Sequence, residues 1–191
     1  SDAIDGEDLV MFESIDKSIN YSNKIINDLI EFSSEINLDL QTVTPKLIVK
    51  GALAMVAVPA NIKVIDFTQT APQIRVDEDK ISRTFMHIMK NSFDAMPNGG
   101  ELTITSQETE NTVMFVFKDN GEGISEDTLN KLWNPLVTTK AKGMGFGLPI
   151  SKRTIEAHNG KISVESKLGN GTTVKVELPL NRTEQKNRQP P

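Results

Sequence analysis

An acidic residue and two glycines follow the apolar run TVMFVF, in the segment KDNGEGISED at residues 118–127. A carboxylate such as Asp119 at the end of a strand can accept a hydrogen bond from an exocyclic amine, but it offers no donor to a carbonyl group. Gly121 and Gly123 let the backbone approach a flat ring closely and permit a positive φ. The segment therefore predicts a pocket that prefers adenine to guanine, although Asp-Asn-Gly is also a common turn sequence. A calcium loop is excluded, because both glycines occupy positions that require oxygen ligands.

A second polar set lies in DEDKISRTFMHIMKNSFDAM, where His87, Lys90, Asn91 and Asp94 recur at the spacing of one helical stripe. The carboxamide oxygen of Asn91 is a hard, neutral ligand suited to Mg²⁺, which keeps several waters and relies on substrate phosphates for its other ligands. Lys90 could neutralise phosphate charge, and His87 is a candidate base. The alternative is an ordinary solvated helix face. The opposite, apolar face holds Ile81, Phe85, Ile88, Met89 and Ser92.

The third candidate is the glycine-rich segment TTKAKGMGFGLPI at residues 138–150. Gly143, Gly145 and Gly147 alternate with bulky residues and lead into a predicted helix, whose first N–H groups and dipole favour an anion. The segment is neither a dinucleotide fingerprint nor a Walker loop, because GxGxxG after a strand and GxxxxGK followed by Ser or Thr are both absent. The glycines also supply hinges, so residues 136–145 are predicted to close over a nucleotide as a lid.

The composition bounds the class of protein. The chain has 191 residues, of which 37% are hydrophobic and 25% are charged, as in soluble globular domains. Because it has no cysteine, disulfides and thiolate metal sites are excluded. The formal net charge of −5, without a dense Lys/Arg block, argues against nucleic acid as the main partner. No run approaches the roughly 20 apolar residues of a membrane span, and no signal-peptide pattern opens the chain. A cytoplasmic segment without membrane contact is expected, even if the full-length protein is membrane-anchored.

Residues 9–37 show an apolar stripe with a period near 3.5 residues, which is typical of a helix packed against another helix. Two partners are open for this helix, namely its own domain or an intermolecular bundle. The stripe consists of Phe12, Ile15, Ile19, Ser22, Ile26, Leu29, Ser33 and Ile36.

The rest of the chain alternates helical and extended patterns. Thr44 and Pro45 form a strong helix start, and the helix is predicted to reach about Val58 before Pro59. Strands are predicted at NIKVIDFTQ, ELTITSQ, NTVMFVFKD, KISVES and TTVKVELP, and the last two form a hairpin across KLGNG. Further helices are predicted at SEDTLNKLW and LPISKRTIEAHN. This order indicates a two-layer α/β sandwich, with one sheet and helices on one face.

Taken together and in this order, the motifs resemble those of the catalytic and ATP-binding domain of sensor histidine kinases. That domain belongs to the GHKL superfamily, which includes type II topoisomerases, mismatch-repair ATPases and a heat-shock chaperone and has the Bergerat fold with a mixed sheet. HIMKNSFDAM matches the N box, DNGEGI the G1 box, LWNPLVTTK the F box and GMGFGL the G2 box. The resemblance covers about residues 45–180, and the helix at 9–37 is similar to the second helix of the family's dimerisation bundle.

The resemblance implies ATP and Mg²⁺ as cofactors. Asn91 would coordinate Mg²⁺, Lys90 would contact phosphate, and Asp119 would bind the adenine amino group. Gly121 and Gly123 would line the base pocket. The lid, the phosphate turn and other nucleotide contacts would include Asp94, Thr138, Thr139, Lys140, Gly143, Gly145, Gly147, Leu148 and Thr172.

It also implies transfer of the γ-phosphoryl group to a bundle histidine and then to a response regulator receiver domain. Neither His87 nor His158 lies in an H box, so the chain should not phosphorylate itself. Three regions are expected, with a homodimerising helix and linker at 1–40, the catalytic domain at 41–180 and a disordered tail at 181–191. The alternatives are a nucleotide-binding regulatory module without phosphotransfer and a conformational ATPase of the same superfamily. Trp133 and Leu136 depart from the F box, where Phe is usual.

Overall fold

The computed structural model of the chain describes residues 6–137 and 145–180. Its centre is a mixed five-stranded sheet that is packed against helices. The helices are α1 (Gly6–Ser33), α2 (Pro45–Ala54), α3 (Glu78–Asp94), α4 (Glu126–Leu129) and α5 (Gly147–Ala157). The strands are β1 (Gln41–Val43), β2 (Ile62–Phe67), β3 (Ile74–Val76), β4 (Gly100–Glu108), β5 (Thr112–Asp119), β6 (Lys161–Ser166) and β7 (Thr172–Pro179).

The sheet has the strand order β2-β4-β5-β7-β6, and only β2 and β4 are parallel neighbours in it. Alternate residues along β4, β5 and β7 are buried against α2, α3 and α5, while the other face of the sheet is partly exposed. At the centre of this core, the Phe85 ring of α3 lies 4.8 Å from that of Phe115 and 4.9 Å from that of Phe117. The predicted two-layer α/β sandwich is confirmed.

Helix α3 positions the polar stripe that the sequence indicated. Asp77 caps its N-terminus by accepting a hydrogen bond from the Lys80 N–H at 3.0 Å. The predicted apolar face, from Ile81 to Ser92, is buried against the sheet. Because successive residues of a helix are about 100° apart, burial of this face turns the opposite side of α3 away from the sheet.

Helix α2 is shorter than predicted. Thr44 caps it as expected, by accepting from the Leu47 N–H at 3.3 Å, but the helix ends at Ala54 rather than near Val58. The last turn tightens, since the Met55 N–H bonds to an oxygen three residues back. A proline disfavours helical geometry in the residue before it, and Val58, ahead of Pro59, is in no helix or strand.

The C-terminal part of helix α1 packs against the start of α5. Ile25 and Phe32 pack against Phe146 and Ile150, and the Phe32 and Phe146 rings are 5.8 Å apart. Phe12, Ile15, Ile19, Ile26 and Leu29 of the apolar stripe are between 44% and 57% exposed. The described part of the chain therefore leaves this stripe uncovered. None of the helices within residues 6–137 and 145–180 is both long and apolar enough to cross a membrane.

A two-stranded antiparallel sheet of β1 and β3 was not predicted. It leads into a buried network in which the Asp77 N–H donates to Nε2 of His158 at 3.0 Å, while Nδ1 of His158 bonds to the Thr154 carbonyl at 2.7 Å. Burial raises the pKa of the Asp77 carboxyl, but hydrogen bonds from Lys80 and Asp39 outweigh burial and lower that pKa overall. Burial also lowers the pKa of His158, against the opposing effects of Thr154 and Asp77. The imidazole is therefore held neutral, with its proton on Nδ1.

The neutral His158 makes the stability of the fold depend on pH. Below the unfolded value of 6.5, the unfolded chain binds a proton that the folded chain resists, so the free energy of unfolding should fall as the pH falls. The loss is limited to about 1.4 kcal/mol for each unit by which the folded pKa is lowered. Urea unfolding between about pH 7.5 and 5.5 should show a smaller decrease for His158→Gln, which cannot titrate. Equal decreases in the two proteins would contradict this account.

Candidate functional site

Asp119, at the end of β5, is the centre of the candidate site. It is only 4% exposed, and its Oδ1 accepts hydrogen bonds from the N–H groups of Gly121 and Thr172, both at 3.0 Å. Within the described residues, these two bonds account for the hydrogen bonding of the carboxylate, and both use the same oxygen. The second oxygen, Oδ2, is thus left to accept from a ligand.

The loop after Asp119 is held against the C-terminal end of α3. The Glu122 N–H donates to the Ala95 carbonyl at 3.0 Å. A Cβ atom on Gly121 would stand 2.5 Å from the same carbonyl oxygen, so a side chain there would separate the loop from the helix. Because Gly121 has no side chain, the loop after Asp119 can pack against the C-terminal end of α3. Asn91 lies one helical turn before Ala95, so the two predicted motifs are neighbours.

The turn between β6 and β7 closes the other side of the loop. Gly123 has a φ of +72°, and a Cβ atom there would lie 2.2 Å from the Lys167 carbonyl oxygen. The Gly169 N–H donates to the Glu122 carbonyl at 2.7 Å. Ser166, at the end of β6, bonds to the Ile124 N–H at 2.8 Å. No local pattern pointed to Ser166, because strand register decides which residue meets this loop.

The polar residues of the α3 stripe differ in exposure and in the elements they face. Lys90 and Asp94 are exposed and Asn91 is half-buried, all in the last turns of α3 next to the Asp119 loop. His87 lies further back, where its Cγ is 3.8 Å from the position that a Cβ atom on Gly147 would occupy. His87 also lines a cavity of about 210 Å³ between α3, α5 and the residues after α1. The imidazole therefore faces the start of α5.

The predicted lid joins two described segments that touch. Gly145 has a φ of +71°, and a Cβ atom there would lie 2.6 Å from the Val137 carbonyl oxygen. Helix α5 begins at Gly147, and the preceding Phe146 gives it no side-chain cap. Leu148 is half-buried in its first turn. The predicted lid residues Thr138, Thr139, Lys140 and Gly143 lie outside the described residues.

The two departures from the F box have different environments. Trp133 is half-buried against the core, with the Lys152 ammonium 5.6 Å from its ring centroid. Leu136 is 70% exposed and has a φ of +66°. Trp133 therefore fills the role of a packed aromatic residue, whereas Leu136 does not contribute to the core.

The side chains near Asp119 suit Mg²⁺ only as a partner of bound phosphates. Within the described residues, no three His, Asp, Glu or Cys side chains form a group that could hold a metal ion. Mg²⁺ bound together with phosphates needs no such cage, because water and phosphate oxygens supply most of its six ligands. The half-buried carboxamide of Asn91 fits the role of the one or two protein ligands that remain.

Residues 76–182 match the family model described as histidine kinase-, DNA gyrase B-, and HSP90-like ATPase. The chain belongs to this ATPase family. The matched region of the ATPase domain begins at β3 and contains the Asp119 site, the α3 stripe and the β6–β7 turn. The resemblance inferred from the four motifs is therefore confirmed.

Individual members of the ATPase family are similar over most of this chain. It is 30% identical over 182 residues to the sensor histidine kinase ZraS of Escherichia coli strain K12, which covers 93% of this chain and 39% of ZraS. It is 34% identical over 146 residues to sporulation kinase C of Bacillus subtilis strain 168, which covers 76% of this chain and 33% of the kinase. The chain thus spans well under half the length of these relatives.

Solved structures share the fold. Full-length ShkA in complex with AMPPNP superposes with a TM-score of 0.79 at 23% identity, over 93% of this chain and 40% of ShkA. The mycobacterial sensor histidine kinase MprB gives a TM-score of 0.66 at 20% identity, over 73% of this chain and 96% of the MprB chain. At these identities the likeness establishes the α/β architecture.

Proposed function

We propose that this chain is the ATP-binding catalytic part of a sensor histidine kinase, which transfers the γ-phosphoryl group of ATP to a histidine supplied by a bundle helix. The observation that carries the proposal is the buried Asp119, with one carboxylate oxygen fixed by Gly121 and Thr172 and the other left for a ligand. The family match and the kinase names of its relatives support the same reading. The AMPPNP complex of ShkA supports ATP as the nucleotide.

In this proposal, the base and the phosphates bind at opposite ends of one site. Asp119 accepts from the adenine amino group, and Gly121 and Gly123 form the wall against the ring. The uncapped start of α5 at Gly147 and Leu148 offers N–H groups to the phosphates. Thr138, Thr139, Lys140, Gly143 and Gly145 belong to the proposed lid. Thr172 completes the base pocket beside Asp119.

The phosphate end of the site would rely on charge compensation. Asn91 would hold Mg²⁺ together with the triphosphate, and Asp94 would contribute to the same site through a bridging water. Bound Mg²⁺ supplies neutralisation of the charge on the phosphates. Lys90 would bind a phosphate oxygen through its ammonium group, since its side chain is exposed on α3. Phosphoryl transfer depends mainly on such positioning and electrostatics.

The acceptor histidine would come from outside the described site. His87 faces α5 at the phosphate side, where it could accept the proton or orient the incoming imidazole. The uncovered stripe of α1 supports a homodimeric bundle in the full-length protein, because packing against a second helix would bury it. Residues 1–40 would then belong to the bundle and linker, 41–180 to the catalytic domain and 181–191 to a tail. A receiver domain of a response regulator would accept the phosphoryl group next.

Transfer in trans tests the proposal. An H-box helix added to the chain with γ-labelled ATP and Mg²⁺ should acquire acid-labile, base-stable label on histidine. Asn91→Ala should reduce that transfer by roughly a hundredfold or more, because the Mg²⁺ that neutralises the phosphates would lose its protein ligand. It should also remove the Mg²⁺ dependence of ATP binding in calorimetry.

Asn98→Ala is the matched control, since Asn98 is an exposed residue just beyond α3. It should transfer label at the wild-type rate. Tight ATP binding without any label on the helix would favour a regulatory nucleotide-binding module, and steady phosphate release without label would favour a conformational ATPase. An Asn91→Ala protein that retains the Mg²⁺ requirement would refute the role of Asn91.

A further inference from the structure

Ser166 is the point at which three segments around the candidate base pocket are joined. Its Oγ accepts from the Ile124 N–H at 2.8 Å, donates to the Gly171 carbonyl at 2.8 Å and lies 2.9 Å from Oγ1 of Thr172. These partners come from the loop after β5, from the β6–β7 turn and from the first residue of β7. None of the four sequence motifs includes Ser166.

The single proton of the Ser166 hydroxyl determines the direction of each of these bonds. A serine hydroxyl has one proton and two acceptor lone pairs. The proton of Ser166 is used by the Gly171 carbonyl, which can only accept. One lone pair takes the Ile124 N–H, so the remaining contact must be donated by the Thr172 hydroxyl. The hydroxyl of Ser166 is then fully used.

These bonds fix the direction in which the Thr172 hydroxyl donates its proton. Its N–H already donates to Oδ1 of Asp119, and its hydroxyl proton is directed to Ser166. What Thr172 can still offer to a ligand is the lone pairs of Oγ1. The side chains of Asp119 and Thr172 therefore both present hydrogen-bond acceptors to a ligand, and neither presents a donor. An amino group is accepted at such a place, and a carbonyl oxygen is repelled.

We propose that Ser166 is a positioning residue that sets the preference of the pocket for a 6-amino over a 6-oxo purine, by committing the hydroxyl proton of Thr172. This inference rests on the proposed function, since it assumes that the base of ATP binds beside Asp119. Ser166 acts through Thr172 and through the loop at Ile124, without touching the base. Without Ser166, the Thr172 hydroxyl can rotate and donate to a carbonyl group.

The test is base selectivity in Ser166→Ala, measured on the full chain by calorimetry with ATP and with inosine triphosphate. Inosine carries a carbonyl at position 6, where adenosine carries the amine. The ratio of the two affinities should fall by roughly tenfold, which corresponds to the redirection of one hydrogen bond. Ser166→Thr retains a hydroxyl and should restore the ratio. Ser163→Ala is the matched control on the same strand, because the Ser163 hydroxyl makes no hydrogen bond within the described residues.

A double variant separates positioning from general loosening of the fold. If Ser166 acts through Thr172, then Ser166→Ala combined with Thr172→Val should have the same selectivity as Thr172→Val alone. A purely structural role would weaken both nucleotides equally and leave the ratio unchanged, and this result would overturn the inference. If Ser166→Ala does not fold, Ser166→Cys, with a weaker donor of similar size, should change the ratio in the same direction.

The failure of this inference can be told from that of the proposed function. A wild-type chain that binds ATP in preference to inosine triphosphate, with the same ratio in Ser166→Ala and Ser166→Cys, overturns only the role of Ser166. A wild-type chain that binds neither nucleotide overturns both.

Discussion

Replacement of Asp119 by asparagine is expected to weaken ATP binding by roughly a hundredfold or more. Oδ1 of the carboxylate is held by two backbone N–H groups, so an asparagine would keep its own oxygen at that position. Its NH₂ group would then occupy the place of Oδ2 and face the adenine amine. Two donors would oppose each other in a buried pocket, where an unmade hydrogen bond is most costly. Calorimetric titration with ATP measures the effect.

The substitution Asp119→Asn should change nucleotide binding without changing the stability of the fold. Because the bonds to Gly121 and Thr172 survive in Asp119→Asn, its thermal unfolding should stay close to that of the wild type, whereas Asp119→Ala should lose both stability and binding. Inosine triphosphate should lose less affinity than ATP in Asp119→Asn, since its carbonyl can accept from the new amide. An ATP affinity unchanged by Asp119→Asn would remove the base-binding role of this residue.

Replacement of Gly171 by alanine is expected to destabilise the chain by at least about 3 kcal/mol and to abolish nucleotide binding. Gly171 has a φ of +78°, and a Cβ atom there would lie 2.1 Å from the Asp119 carbonyl oxygen. Two backbones, rather than a flexible side chain, would have to separate. The backbone would have to move at Asp119, the residue at the centre of the proposed base pocket.

Gly169 in the same turn is the matched control. Its φ of +80° is nearly the same, but a Cβ atom there meets nothing within 4 Å. Gly169→Ala therefore isolates the cost of a positive φ, which is about 1 kcal/mol. Urea unfolding of the two variants should differ by the contribution of the steric conflict alone, and equal losses of stability would contradict it.

Local patterns predicted those features that depend on neighbours in sequence. The 3.6-residue period placed the apolar face of α3 correctly, and side-chain chemistry identified the Thr44 cap. Strands β1 and β3 were missed, because three residues each are too few to show a period. The roles of Ser166 and Gly171 were also missed. Both depend on pairing between strands that are distant in sequence, which no local pattern encodes.

The extent of α2 shows a similar limit. The apolar residues after Ala54 continue a helical pattern, yet the helix ends at Ala54, ahead of Pro59. The lid residues from Thr138 to Gly143 were predicted from glycine content and resemblance, and they remain a prediction.

The pairing of β5 with β7 has a consequence for assembly. Asp119 and Thr172 are 53 residues apart in sequence, yet the Thr172 N–H donates directly to Oδ1 of Asp119. Closing a loop of this length has an entropic cost that is recovered only when β5 and β7 pair, so a partly folded chain in which these strands are separate has no nucleotide pocket to fill. A nucleotide that occupies the pocket would consequently act on the folding equilibrium as a whole, adding about 2.7 kcal/mol of apparent stability at a hundred times its Kd.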